Sequence, residues 1–203
     1  MVKKSNIEMT KREQELIDKN IFLLLWANNN DPIKGRVRFI KEFFVYAKKY
    51  NETLFQAAEF FPYYFGPYSV RLAYRINFLK FQGYIKPIYK NMDWYYTLSN
   101  KGLELANFIS NESNKETIKK ISKIKSYNRN LNLKNLLKDI YIDYPEFTGR
   151  SLIKDEITKL DIDQVKLLKV NDGPGFVAPI SPEEKEIVLK GSAARKYFNL
   201  ISD

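Results

Sequence analysis

Residues 66–99 read GPYSVRLAYRINFLKFQGYIKPIYKNMDWYYTLS. Gly66 supplies a turn and Pro67 fits the first position of a helix. Gly83 ends that helix, which the pattern predicts over Pro67 to about Gln82. Beyond it, Ile85 and Ile88, then Trp94, Tyr96 and Leu98, alternate on either side of KNMD, the pattern of a β-hairpin. Ser99 or Asn100 then caps another helix. A helix followed at once by a hairpin narrows the fold to few choices.

Upstream, Thr10 and Glu13 form a capping box for a helix over Met9–Asn28, with Leu16, Ile17, Ile21, Leu24 and Ala27 at helical spacing. PIKGR reads as a loop. A second helix, about Arg36–Tyr50, follows with Val37, Ile40, Phe44 and Ala47 as its apolar stripe. NETLFQAAEFFPYYF reads as a connector with one helical turn. The sequence therefore predicts a mainly α protein with a small β-hairpin. Over residues 1–112 the order is that of a winged helix-turn-helix, with the helix from Pro67 as its recognition helix. Residues 113–150 are expected as a helical extension packing on it, one broken helix or two over Thr117–Tyr144. Residues 151–203 are expected as a C-terminal tail with short helices near Asp155–Leu160 and from Ser181.

Composition bounds the function. The 203 residues are 44% hydrophobic and 15% aromatic, enough for a core. There is no Cys and no His, which removes disulfides, thiolate metal sites and the commonest general base. The longest apolar run, Ile21–Ala27, is too short to span a bilayer, and the N-terminus carries no signal-peptide pattern. These readings predict a cytoplasmic protein that does not engage the membrane. The net charge of +10 is uneven: residues 1–150 carry +11 and residues 151–203 carry −1, which suits a polyanionic partner.

The segments LLLWA, PIKGRVRFIKEFFVY, FFPYYFGPYSVRLAYRINFLKFQGYI and YYTLSNKGLELA, spanning Ile21–Ala106, resemble the YwgA-like proteins of archaea and bacteria and, more loosely, the Panacea antitoxin domain. The aromatic-Gly-Pro-Tyr-Ser element is intact, whereas Ser99 stands where the closing motif usually has Thr. NRNLNLKNLLKDIYIDYPEFTGRS resembles the family's tail less specifically. The resemblance implies a winged-helix-like fold and a regulatory or neutralising role, sometimes beside toxins or defence genes. It implies no catalytic residue and no cofactor.

On the predicted third helix, at about 100° per residue, Leu72, Ile76 and Leu79 face the core. Arg71 and Arg75 lie on a flank with Phe78. Val70, Tyr74, Asn77 and Phe81 lie opposite the core, where a major-groove helix would carry Arg, Lys, Asn or Gln. That apolar face is covered by residues 115–150, docks a partner, or stacks on nucleic acid. Phe60, Phe61 and Phe65 are expected as core anchors, and Ser69 with free backbone N–H groups as an anion site.

Two functions follow. One is a DNA-binding regulator contacting the phosphates of double-stranded DNA through Lys34, Arg36, Arg71, Arg75, Lys86 and Lys90. The other is an antitoxin-like module docking a protein partner, or a second copy of the chain, through Tyr68, Tyr74 and Phe81. No catalytic or metal-binding constellation is expected. The densest acidic cluster, Asp155, Glu156, Asp161 and Asp163, lacks the ligand spacing of a cation loop. Neither DGPGF nor KGSAAR has phosphate-loop spacing.

Overall fold

A computed structural model describes residues 8–154 and Ile157, all within the compact unit Met1–Asp172. Seven helices and a small amount of antiparallel sheet make up the described chain: α1 Lys11–Asn30, β1 Ile33–Lys34, α2 Arg36–Tyr50, α3 Glu52–Ala58, β2 Phe61–Tyr63, β3 Gly66–Tyr68, α4 Val70–Phe81, β4 Ile85–Lys90, β5 Asp93–Leu98, α5 Asn100–Asn111, α6 Lys115–Arg129 and α7 Leu133–Asp143, with a 3-10 turn at Pro145–Phe147.

Most helix starts are set by the side chain before them. The capping box of α1 forms: the Glu13 amide donates to Thr10 Oγ1 at 3.2 Å and the Thr10 amide to Glu13 Oε2 at 2.7 Å. Ser69 accepts from the Leu72 amide at 2.9 Å to start α4, and Ser99 from the Gly102 amide at 3.1 Å to start α5. Asn51, Asn114 and Asn132 cap α3, α6 and α7 in the same way.

The hairpin after α4 forms with Lys90 opposite Asp93, closed by Asn91 and Met92 with φ of 52° and 60°, the two left-handed residues that match the twist of the strands. Its second strand also pairs with β1, giving the order β1-β5-β4. The segment PIKGR, read above as a loop, thus contributes a strand. Two residues are too short to show a period of two, and only β5 makes them a strand.

The aromatic segment before α4 also differs from expectation. Phe61–Tyr63 and Gly66–Tyr68 pair as a hairpin, with Pro62 opposite Pro67. Alternation from the Tyr63–Gly66 pair puts the prolines at a position where no ladder N–H is needed. Helix α4 consequently starts at Val70, and Pro67 lies outside it. Of the three expected anchors, Phe60 and Phe65 pack half-buried against the core, Phe60 meeting Phe43, Phe44 and Phe55, whereas Phe61 packs half-buried on Tyr63 and Tyr68 within the hairpin. α3 is a full helix rather than a single turn, and the extension is two helices. The predicted tail helices lie outside the described residues, apart from Ile157.

Helix α2 contributes to two apolar clusters of the described residues. Its Phe39 and Phe43 join the larger core built from α1, α3, α4, the sheet, α5 and α6. Its Phe44 anchors a second cluster with Leu136, Leu137, Ile140 and Tyr141 of α7 and with Phe147. A period-3.6 helix buried on several sides cannot show a clean amphipathic stripe, so the stripe predicted for α2 captured only part of its buried surface.

Gly66 joins the second cluster to the aromatic hairpin. Its φ is +84°, and a Cβ there would sit 2.7 Å from Tyr141 Cε1. Gly66→Val should therefore destabilise the protein by about 1–3 kcal/mol, from left-handed strain together with a ring contact. Adding Tyr141→Ala removes the ring contact but not the φ, so it should not restore the wild-type background seen with Tyr141→Ala alone. Urea unfolding of the four proteins measures both parts, and an unchanged midpoint in Gly66→Val would show that the turn imposes no constraint.

Candidate interaction surface

The predicted basic flank of α4 faces inward. Arg71 reaches Glu13 at 3.1 Å and Glu59 at 3.1 Å, and donates to the Ala57 carbonyl at 3.0 Å and the Glu8 carbonyl at 2.8 Å. Arg75 grips Asp18 with both arms, Nε to Oδ1 at 2.7 Å and Nη2 to Oδ2, and lies over the Phe78 ring. Both guanidinium groups are buried. The physical reason is the α1–α4 contact, where the acidic face of α1 meets this flank. Arg36 is buried as well, and donates to the Ala73 carbonyl at 3.4 Å. The expectation that these three arginines present their charge to phosphate is therefore corrected.

The hairpin differs. Lys86 and Lys90 are exposed on β4. Lys34 is half-exposed but bound to Asp93 at 2.5 Å. Of the six predicted phosphate contacts, only Lys86 and Lys90 project freely from one element. Ser69 is fully buried and its hydroxyl donates to the Ala58 carbonyl, so it caps α4 internally instead of offering an anion site.

The predicted docking residues divide in two. Tyr68 belongs to the aromatic hairpin, half-buried 5.9 Å from Phe61 and 5.1 Å from Tyr63. Tyr74 and Phe81 lie on α4 with Val70 and Asn77, opposite buried Leu72, Ile76 and Leu79. Val70, Tyr74 and Asn77 are half-buried, and Phe81 is 77% exposed. Burial raises the Tyr74 hydroxyl's pKa, with Arg75 opposing. The extension packs elsewhere, α6 on α1 and α2, and α7 on α2.

A second set of charged groups corrects the helical pattern, which sets Arg38, Lys41, Glu42 and Lys134 opposite the apolar stripes and toward water. Arg38, Lys41, Lys125 and Lys134 are buried, and with Arg36, Arg71 and Arg75 they make seven buried cations among the described residues, against one buried carboxylate, Glu42. Several reach backbone carbonyls at helix ends, where acceptors are unpaired and the dipole is negative. Arg38 donates to the Asn128 carbonyl in the last turn of α6 and to the Leu131 carbonyl just after it, Arg71 to Ala57 in the last turn of α3, and Lys125 to Leu25 at 2.9 Å and Ala27 at 2.8 Å. Lys41 donates to the Pro67 carbonyl at 2.6 Å. The signal was present for Lys125, which falls on the stripe of Ile118, Ile121 and Asn128. A lysine there reads as an interruption unless a partner carbonyl is known.

Burial pushes Lys41 down to about 7 and Lys125 down to about 8, the latter opposed by Glu42 and Asp31. Burial also pushes Glu42 up to about 8, with Arg38 and Lys125 pulling it back. No cluster of three potential metal ligands occurs among the described residues, and no helix there is long and apolar enough to cross a membrane. The acidic cluster from Asp155 lies outside the described residues. Comparison with family models, with curated proteins and with solved structures found no match.

Two expectations follow. Arg75→Ala should cost about 3 kcal/mol in stability, because it strands the largely buried Asp18 carboxylate without its counter-charge. Asp18→Asn in the same chain should recover much of that loss, measured by urea unfolding near neutral pH. A loss under about 0.5 kcal/mol, the size of an ordinary surface change, would show that the pair is not structural.

Lys41 sets a pH dependence. Its folded value of about 7 lies below the ordinary 10.5, so between these values the unfolded chain binds the extra proton. Its contribution is present above the unfolded value, and is lost as pH falls through about 7. Lys41→Met should abolish this, so the stability advantage of wild type over the variant should grow with pH, by up to about 1.4 kcal/mol per unit. Urea titrations across the window check the slope; a pH-independent difference would mean that the ammonium titrates normally.

Proposed function

We infer that this chain is a protein-docking module on a winged-helix-like core, of the antitoxin or defence kind that its sequence resembles. Support for the core comes from element order: helix, short strand, helix, helix, hairpin, with the short strand paired to the second hairpin strand. It departs from a helix-turn-helix in one respect. A short helix and the aromatic hairpin stand between α2 and α4, where a turn of about 3–4 residues is usual.

The observation that carries the docking reading is the outer face of α4. At the position of a recognition helix it presents Val70, Tyr74 and the exposed Phe81, while Arg71 and Arg75 are bound to Glu13, Glu59 and Asp18. A groove-reading helix needs outward donors; an aromatic ridge fits an apolar protein surface. Lys86 and Lys90 on the adjacent hairpin favour a partner whose apolar patch is bordered by carboxylates.

A second reading, a regulator that binds duplex DNA, is favoured by those same exposed lysines. It rests on the hairpin instead of the helix. The two separate experimentally. With a photo-crosslinking residue at 81, native cells should yield a discrete protein adduct that Tyr74→Ala abolishes, and Lys86→Ala/Lys90→Ala should mainly slow partner association. Phe81→Ala should leave stability within about 0.5 kcal/mol. If the adduct is nucleic acid, or if duplex binding falls steeply with salt and Lys86→Ala and Lys90→Ala each flatten the slope by roughly one unit, the regulator stands and the docking module falls.

A further inference from the structure

Within its bounds, Lys11–Asn30, helix α1 keeps helical geometry only as far as Trp26. Ala27 leaves helical geometry with ψ 150°, and Asn28, Asn29 and Asn30 follow with φ of 58°, 59° and 56°. L-residues enter this left-handed region as single residues, with Asn among the more tolerant types, so three in succession must be held by their surroundings.

Three contacts hold them. Lys125 of α6 donates to the Leu25 and Ala27 carbonyls, which a continuing helix would use for its own hydrogen bonds. Asn28 Nδ2 donates to Ser126 Oγ at 2.9 Å, also on α6. Asn30 Oδ1 accepts from Thr97 Oγ1 at 3.2 Å and the Leu98 amide at 3.3 Å on β5. Asp31 then pairs with Arg129 at the end of α6, at 3.3 Å. The next residues, Ile33 and Lys34, form β1 against Tyr96 and Tyr95. One strained segment therefore joins the cation on α6 to the edge of the wing sheet.

We propose that Asn28–Asn30 is a two-state latch: the Lys125 clamp holds it left-handed and seats β1 on β5, and release lets α1 wind on right-handed through Asn30 and withdraw β1 from the sheet. The latch couples the extension helix to the hairpin, and it does not depend on what the α4 face binds. The charged groups around the clamp are Glu42 and Arg38 of α2, Asp31 after α1 and Arg129 of α6 itself. Glu42 attracts the ammonium from the α2 side, and Arg38 pairs with Glu42. Asp31 and Arg129 close the segment on the other.

Asn29 is exposed, so substitution there tests the backbone preference with little loss of packing. Asn29→Gly favours the left-handed region and Asn29→Ala disfavours it. Amide hydrogen exchange by mass spectrometry on the full chain is the measurement. Exchange of residues 27–34 should slow about fivefold in Asn29→Gly and speed up by a similar factor in Asn29→Ala, with α5 unchanged. Lys125→Met should speed exchange in the same window, and Asn29→Gly added to it should restore protection. Equal exchange in the two Asn29 variants, a change spread evenly over the molecule, or failure of Asn29→Gly to offset Lys125→Met would each overturn the latch.

Discussion

Among the described residues, three helices end on buried cations. Lys125 holds carbonyls at the kink near the end of α1, Arg38 carbonyls in and just after the last turn of α6, and Arg71 one in the last turn of α3. Carbonyls at a helix end lack intrahelical donors and carry the negative end of the dipole. Buried without a partner they are costly, and so is a buried ammonium. Each solves the other's problem. Among the described residues Glu42 is the single buried carboxylate; it lies 3.9 Å from Arg38 and interacts with Lys125, while burial favours its neutral form, so buried polar groups of α2 and α6 meet beside the end of α1. The position of the sheet follows, because the end of α1 leads directly into β1.

This use of charge changes what the composition means. A chain at +10 invites a polyanion, yet seven cations are spent inside the described part and do not contribute a surface field in proportion to their number. The apolar groups show the reverse economy. Phe81 on α4 and Met92 at the hairpin tip stand in solvent at 77% and 88% exposure. On α4 the two arginines face in, while Phe81 faces out.

The aromatic hairpin between α3 and α4 has a different role. Its rings pack on one another, Tyr63 against Tyr64 at 4.3 Å and against Tyr68 at 5.1 Å. Its backbone is fixed by Lys41 at Pro67 and by the close approach of Tyr141 to Gly66. It thereby joins α2 to α7, and Phe44 completes the junction through contacts with Phe60, Tyr144 and Phe147. The Gly-Pro-Tyr-Ser element thus acts as a structural corner, and Ser69, its last residue, starts α4.

What the sequence determined by itself was local. The bounds of α2, the Thr10–Glu13 box, the Ser99 cap, the hairpin around Asn91 and Met92, the positive φ at Gly66 and the core face of α4 all depend on residues a few positions apart. Their signals are caps, turns and periodicity, which one stretch of chain contains in full. The tertiary structure alone decided the rest. β1 exists because β5 lies beside it, and the aromatic connector becomes a hairpin because α2 and α7 supply its floor. Arg71 and Arg75 occupy the flank that the helical wheel gave them, but whether that flank meets water or the carboxylates of α1 depends on residues more than fifty positions away. A side chain's direction on its own helix is a local property. Its charge partner is not, since the energy of a buried ion is set by whatever the fold brings within hydrogen-bonding distance.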